Sequence, residues 1–184
     1  MTTTTTIRAA LETEKPAAVA QFEQYIREYW AAFVAEFGDD TFALSKWSYD
    51  HTSRGEYFSR RRRVIYGFMR THKTTEDYYG PSVQVLDEDA VAAAATEYAN
   101  RTIDQMIAKL EGKTGGLTEV EVASISPGAL EVTLRGFRGG DLVTIEQRKI
   151  LNMSSHGALF NQYPALIYVN GKKTSEAAYK RSAA

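Results

Sequence analysis

The chain has 184 residues, 43% of them hydrophobic and 24% charged, with no cysteine and a formal net charge of −1. That composition suits a globular protein and excludes wholesale disorder, a disulfide framework, a thiolate metal site and a cysteine nucleophile. No stretch approaches the ~20 consecutive apolar residues of a membrane span, and five threonines after Met1 do not make a signal peptide, so a cytoplasmic protein is expected.

The small net charge conceals segregation along the chain. Residues 1–40 carry three basic and seven acidic side chains, residues 54–73 seven basic and one acidic. Residues 74–112 carry two basic and eight acidic, residues 113–184 nine basic and six acidic. Separation of this kind predicts surface patches of opposite sign.

In chain order, the threonine run is expected to fray, with a short helical turn over 6–13. A long helix is predicted over 16–37, where Phe22, Ile26, Tyr29, Trp30, Phe33 and Phe37 recur at helical spacing. Pro16 suits its first turn and Gly38 its end. Trp47 and Tyr49, a polar turn over 50–55 and the run 57–70 read as a hairpin, followed by a short strand over 83–86. A second long helix is predicted over 88–111, with Asp87 as N-cap and Gly112 as terminator. Its buried stripe would be Val91, Ala95, Tyr98, Ala99, Thr102, Met106 and Leu110.

From Leu117 the apolar period becomes two. Val120 and Val122, then Leu130, Val132 and Leu134, then Val143, Ile145, Leu151 and Met153 are placed on the inner face of successive strands. Ser126-Pro127-Gly128 and Gly139-Gly140-Asp141 read as the turns between them. A looser segment over 154–164 leads to a strand over 165–169, an Asn170-Gly171 hairpin turn and a short terminal helix capped by Thr174. The predicted class is α+β: two long amphipathic helices on a mostly antiparallel sheet, with a C-terminal β-meander and a short terminal helix. A single domain over 1–184 is the simplest organisation, subdivision at 86/87 the alternative.

The sharpest local feature is Arg60, Arg61, Arg62 and Arg63 in a row, with Arg70 close behind. Guanidinium groups stay charged and need partners. Carboxylates of the acidic helices, such as Glu23, Glu28, Glu97 and Asp104, would supply them within the chain. Alternatively the arginines form a phosphate-binding patch, with Tyr57 and Tyr66 as stacking surfaces for unpaired bases. Tyr78 and Tyr79, among eleven tyrosines, are candidate contact residues for a protein partner.

Other signals exclude more than they assign. The order helix–strands–helix over the first 111 residues is shared with the double-stranded RNA-binding domain. Asp87-Glu88-Asp89 stands where that family needs phosphate-gripping lysines, which excludes it. Gly112-Lys113-Thr114 lacks the upstream glycine and the strand–loop–helix context of a P-loop. His51, His72 and His156 show no paired ligand spacing, and Ser155-His156 sits in no strained nucleophile turn. No catalytic residue, metal or cofactor is therefore assigned. The expected function is a non-enzymatic binding or accessory protein acting through a protein–protein surface, with a protein partner or a second copy. The alternatives are a nucleic-acid or polyanion binder using residues 60–63, and an enzyme whose site gathers scattered His, Asp and Glu.

Overall fold

The computed structural model describes residues 3–37, 66–73, 82–154 and 157–181. The architecture is α+β. Helices α1 (Thr3–Glu12) and α2 (Lys15–Phe37) are followed by strands β1 (Met69–Lys73) and β2 (Ser82–Leu86), then helix α3 (Glu88–Thr114). Strands β3 (Thr118–Ile125), β4 (Glu131–Arg138), β5 (Asp141–Ser154), β6 (Gly157–Gln162), β7 (Leu166–Val169) and β8 (Lys172–Thr174) come next, and helix α4 (Glu176–Arg181) closes the chain. Every strand pairing whose register is resolved is antiparallel. No described helix is long and apolar enough to cross a membrane.

The chain divides into two compact units, one of residues 1–19, 97–152 and 160–184, the other of 20–96 and 153–159. In the second unit Phe22, Ile26, Phe33, Val91 and Ala95 are buried. Phe33 packs with Tyr29, Trp30, Val34 and Met69, and Phe22 meets Phe68 edge-on at 6.1 Å. Trp30 differs from expectation. It is half-buried, stacked on Phe33 at 5.7 Å, because it lies at the border of the apolar stripe rather than at its centre.

Strands β1 and β2 pair over their whole length, Met69 opposite Leu86, and a 3-10 turn over Tyr66–Phe68 precedes them. The strand expected over 57–70 thus begins only at Met69 among the described residues. Asp87 links this hairpin to α3. Its N–H donates to the Phe68 carbonyl at 2.7 Å, and its carboxylate accepts from the Ala90 N–H at 3.1 Å, as an N-cap does.

The first unit has a core of its own. Ile7 and Leu11 of α1 join Ile103, Met106, Ile107 and Leu110 of α3 against Val132, Leu134, Val143, Ile145 and Ile167 of the sheet. Thr3 to Thr6 are therefore helical rather than frayed: Ile7 and Leu11, four apart, give α1 a buried stripe that offsets threonine's weak helix propensity. All seven residues predicted for the α3 stripe are buried. The helix does not end at Gly112 but runs to Thr114, because Lys113 Nζ and Thr114 Oγ1 donate to the carbonyls of Lys109 and Glu111. Gly116, at φ 77°, takes the left-handed turn instead.

The sheet order is β3-β4-β5-β7-β8, with β6 also on β5. Gly139 and Gly140, at φ 57° and 91°, make a two-residue turn that sets Arg138 opposite Asp141 and Leu134 opposite Ile145. Asn170 and Gly171 do the same for β7 and β8, and the Asn170 amide donates to Asp141 at 2.7 Å while its Oδ1 accepts from the Leu142 N–H. Val132, Leu134, Val143 and Ile145 are buried; Val120 and Val122 are half-buried against the same core. Leu130, half-buried, sits just before β4. Two expectations fail at the C-terminal end. The segment expected to be loose contains β6, whose tie to β5 no local signal announces. Ser175, not Thr174, caps α4, through Oγ on the Ala178 N–H, because Thr174 still belongs to β8.

Arg138 and Tyr179 fasten α4 to this unit. The guanidinium donates to the carbonyls of Gly115 and Tyr179 at 2.6 and 3.1 Å and to the Tyr179 hydroxyl at 2.7 Å, and it lies 3.9 Å above the ring. That hydroxyl in turn donates a hydrogen bond to the Lys113 carbonyl at 2.9 Å.

Gly136 of β4 is crowded by β3. A Cβ there would stand 3.0 Å from the Thr118 carbonyl oxygen and 3.2 Å from Val120 Cγ2. Backbone cannot swing aside as a side chain does. Gly136→Ala is therefore expected to lower stability by roughly 1–3 kcal/mol, as overpacking does, read as a fall in the denaturant midpoint at unchanged slope.

Candidate functional site

The sequence-predicted contact residues are divided by the structure. Arg60, Arg61, Arg62, Arg63, Tyr57, Tyr78 and Tyr79 lie outside the described residues, as do Trp47, Tyr49, His51 and Ser155-His156. Tyr66 opens the 3-10 turn. Arg70 stands on β1, exposed, opposite Val85. The helix carboxylates considered as their counter-charges have partners nearby. Arg27 bridges Glu23 and Glu88 at 3.1 and 2.9 Å, Arg101 pairs with Glu97, and Arg8 reaches Asp104 at 3.2 Å. Glu28 accepts from Gln24. The Arg27 guanidinium is held above its usual pKa, first by the hydrogen bond to Glu88 and then by that to Glu23.

A different site emerges in the first unit, at the end of the β4–β5 hairpin away from the glycine turn. The register places Glu131 opposite Arg148 and Thr133 opposite Glu146, and β7 adds Leu166 beside Glu146. Strand alternation puts Glu131, Thr133, Glu146, Arg148 and Leu166 on one face of the sheet, opposite the core-facing Val132, Leu134 and Ile145. Pairing with β7 stops at Glu146, and the 163–165 link runs alongside Gln147 and Arg148 of β5. Two bonds hold that link in place: Tyr163 N–H donates to the Arg148 carbonyl at 3.2 Å, and Gln147 Nε2 donates to the Tyr163 carbonyl at 2.7 Å. Pro164 has no N–H to satisfy there. The result is a cleft of about 460 Å³ lined by Glu131, Glu146, Arg148, Lys149, Tyr163, Pro164 and Leu166.

The charges in the cleft are not equivalent. Arg148 Nε lies 2.9 Å from Glu131 Oε1, so these two neutralise one another across the strands. Glu146 takes part in no hydrogen bond or ion pair among the described residues. Tyr163, 49% exposed, gives an aromatic wall, and Pro164 and Leu166 add apolar surface. Among the described residues no three His, Asp or Glu side chains gather to hold a metal ion.

Lys149 borders the cleft, yet the same alternation sends its side chain to the core side with Gln147. Both are buried, at 4% and 1% exposure. Gln147 meets its needs on the carbonyls of Arg148 and Tyr163. Burial pushes the Lys149 ammonium down from its ordinary 10.5 to about 7. Neither residue was singled out from sequence, although the inward parity of Val143 and Ile145 continues directly into Gln147 and Lys149.

This burial carries a pH signature. Below pH 7 the amine is protonated in both the folded and the unfolded chain, and the cost of burying its charge is fully present. Between pH 7 and 10.5 the unfolded chain holds the extra proton, so stability rises with pH across that window. From pH 7 to 10 the parent should gain about 3 kcal/mol more than Lys149→Met does, measured by denaturant unfolding of both at each pH; parallel curves would show that the amine is not desolvated. No protein-family model, curated protein or solved structure matches this chain.

Proposed function

We propose that the protein is a non-enzymatic binding protein and that it takes a small organic ligand in the cleft between β4, β5 and the 163–166 link. One observation carries this reading. A cleft of about 460 Å³ combines apolar walls with a few fixed polar groups, the make-up of small-ligand sites, and two backbone-directed bonds preform its lid-like link. Preformed walls reduce the ordering cost of binding.

The test is a screen of small organic fragments by amide chemical shifts. Saturable shifts are expected at residues 131, 146, 148, 163, 165 and 166, and Leu166→Trp, which fills the cleft, should weaken such binding at least about tenfold, the equivalent of 1.4 kcal/mol. Binders that ignore Leu166→Trp, or no shifts in this set, would refute the reading.

A second reading, contact with a protein partner or a second copy, is favoured by Phe137 and Leu142. They face each other across β4 and β5, and each is more than a third exposed. Paired exposed apolar residues at the tip of a hairpin are a common contact point. If they mediate self-association, Phe137→Ser with Leu142→Ser should abolish the concentration dependence of the sedimentation coefficient. A parent that sediments as a monomer at every concentration would remove the second-copy form. The polyanion reading rests on residues 60–63, outside the described set.

A further inference from the structure

The cleft contains two carboxylates, and the sheet register treats them differently. Glu131 stands across from Arg148 and is neutralised by it at 2.9 Å. Glu146 stands across from Thr133 on one side and Leu166 on the other, neither of which carries charge. It is half-buried, flanked by apolar surface from Leu166 and Pro164 and by the exposed ring of Tyr163. A carboxylate partly withdrawn from water and lacking a cation attracts one. An aromatic wall adds to the attraction, since the face of a tyrosine ring is electronegative.

We propose that the cleft binds an organic cation, a protonated amine with an apolar body, whose ammonium group pairs with Glu146 while its body lies against Tyr163, Pro164 and Leu166. This rests on the reading of the cleft as a ligand site and names the ligand class. An anion meets one carboxylate without a partner, an arginine already engaged, and a lysine, Lys149, whose side chain runs to the core side of the sheet and is 4% exposed. A neutral body of the same shape gains the apolar contact alone. The arrangement therefore ranks ligands of equal size by charge: cation first, neutral second, anion last.

Phenethylammonium, phenethyl alcohol and phenylacetate share a ring and a short chain and differ in charge. Each is titrated into the isotopically labelled full chain at low salt, with amide shifts at 146, 148, 163, 165 and 166 as the readout. Phenethylammonium should bind at least about tenfold more tightly than the alcohol, with phenylacetate weaker still, and added salt should narrow the gap. Glu146→Gln should bring the amine down to the affinity of the alcohol. Arg148→Met releases Glu131 from its partner and should tighten amine binding, a gain that a misfolded variant cannot imitate. Alcohol and amine binding equally at the cleft overturns the cationic class and leaves the cleft reading standing. Amine shifts confined to other carboxylates, or an Arg148→Met variant that weakens amine binding, also overturn it. If none of the three probes shifts the cleft residues, the inference fails together with the cleft reading.

Discussion

Two glycines set the geometry on which the first unit depends. Gly139 and Gly140 both sit at positive φ, so the chain reverses in two residues and the β4–β5 register follows with no freedom left. That register decides which side chains meet in the core, Leu134 with Ile145 and Val132 with Gln147. It equally decides which meet on the opposite face, Glu131 with Arg148 and Thr133 with Glu146. A slip of one residue would expose the apolar set and bury the carboxylates. Core and cleft are thus two readings of the same turn.

The unit also treats two cations, one half-buried and one buried, in different ways. Arg138 has a rigid fork of donors, and the fold supplies it with two carbonyls, a hydroxyl and a ring face. It fastens α4. Tyr179, its neighbour, has its pKa raised by burial and partly drawn back by that guanidinium. Lys149 meets its burial by giving up charge readily, since its pKa falls to about 7. One cation serves as a structural clasp; the other is a group whose charge the fold works against.

Much of this was legible in the residues. Asp87 announced the start of α3, the Gly139-Gly140 and Asn170-Gly171 pairs announced their hairpins, and period-two spacing placed Val132, Leu134, Val143 and Ile145 inward. The cleft was not legible, for two physical reasons. Its outer wall is the 163–166 link, which is held by bonds from the Gln147 side chain and the Arg148 carbonyl, and no local pattern near Tyr163 encodes a tie to β5. Its neighbour Lys149 obeys strand parity, but a lysine on an inward position runs against hydrophobic patterning, so parity alone pointed to it. The threonine run misled in the opposite sense, because weak propensity yields when Ile7 and Leu11 are buried.

The two ends of the sheet path have a consequence for how copies of this chain behave at high concentration. At one end β3 loses register twice against β4, and Glu119 takes a left-handed conformation at φ 52°. At the other end β8 is three residues long and presents exposed Lys172 and Lys173. An edge strand that is irregular, or short and cationic, is a poor template for intermolecular β-pairing. Neither β3 nor β8 offers the long, flat row of free backbone groups from which cross-β aggregates grow.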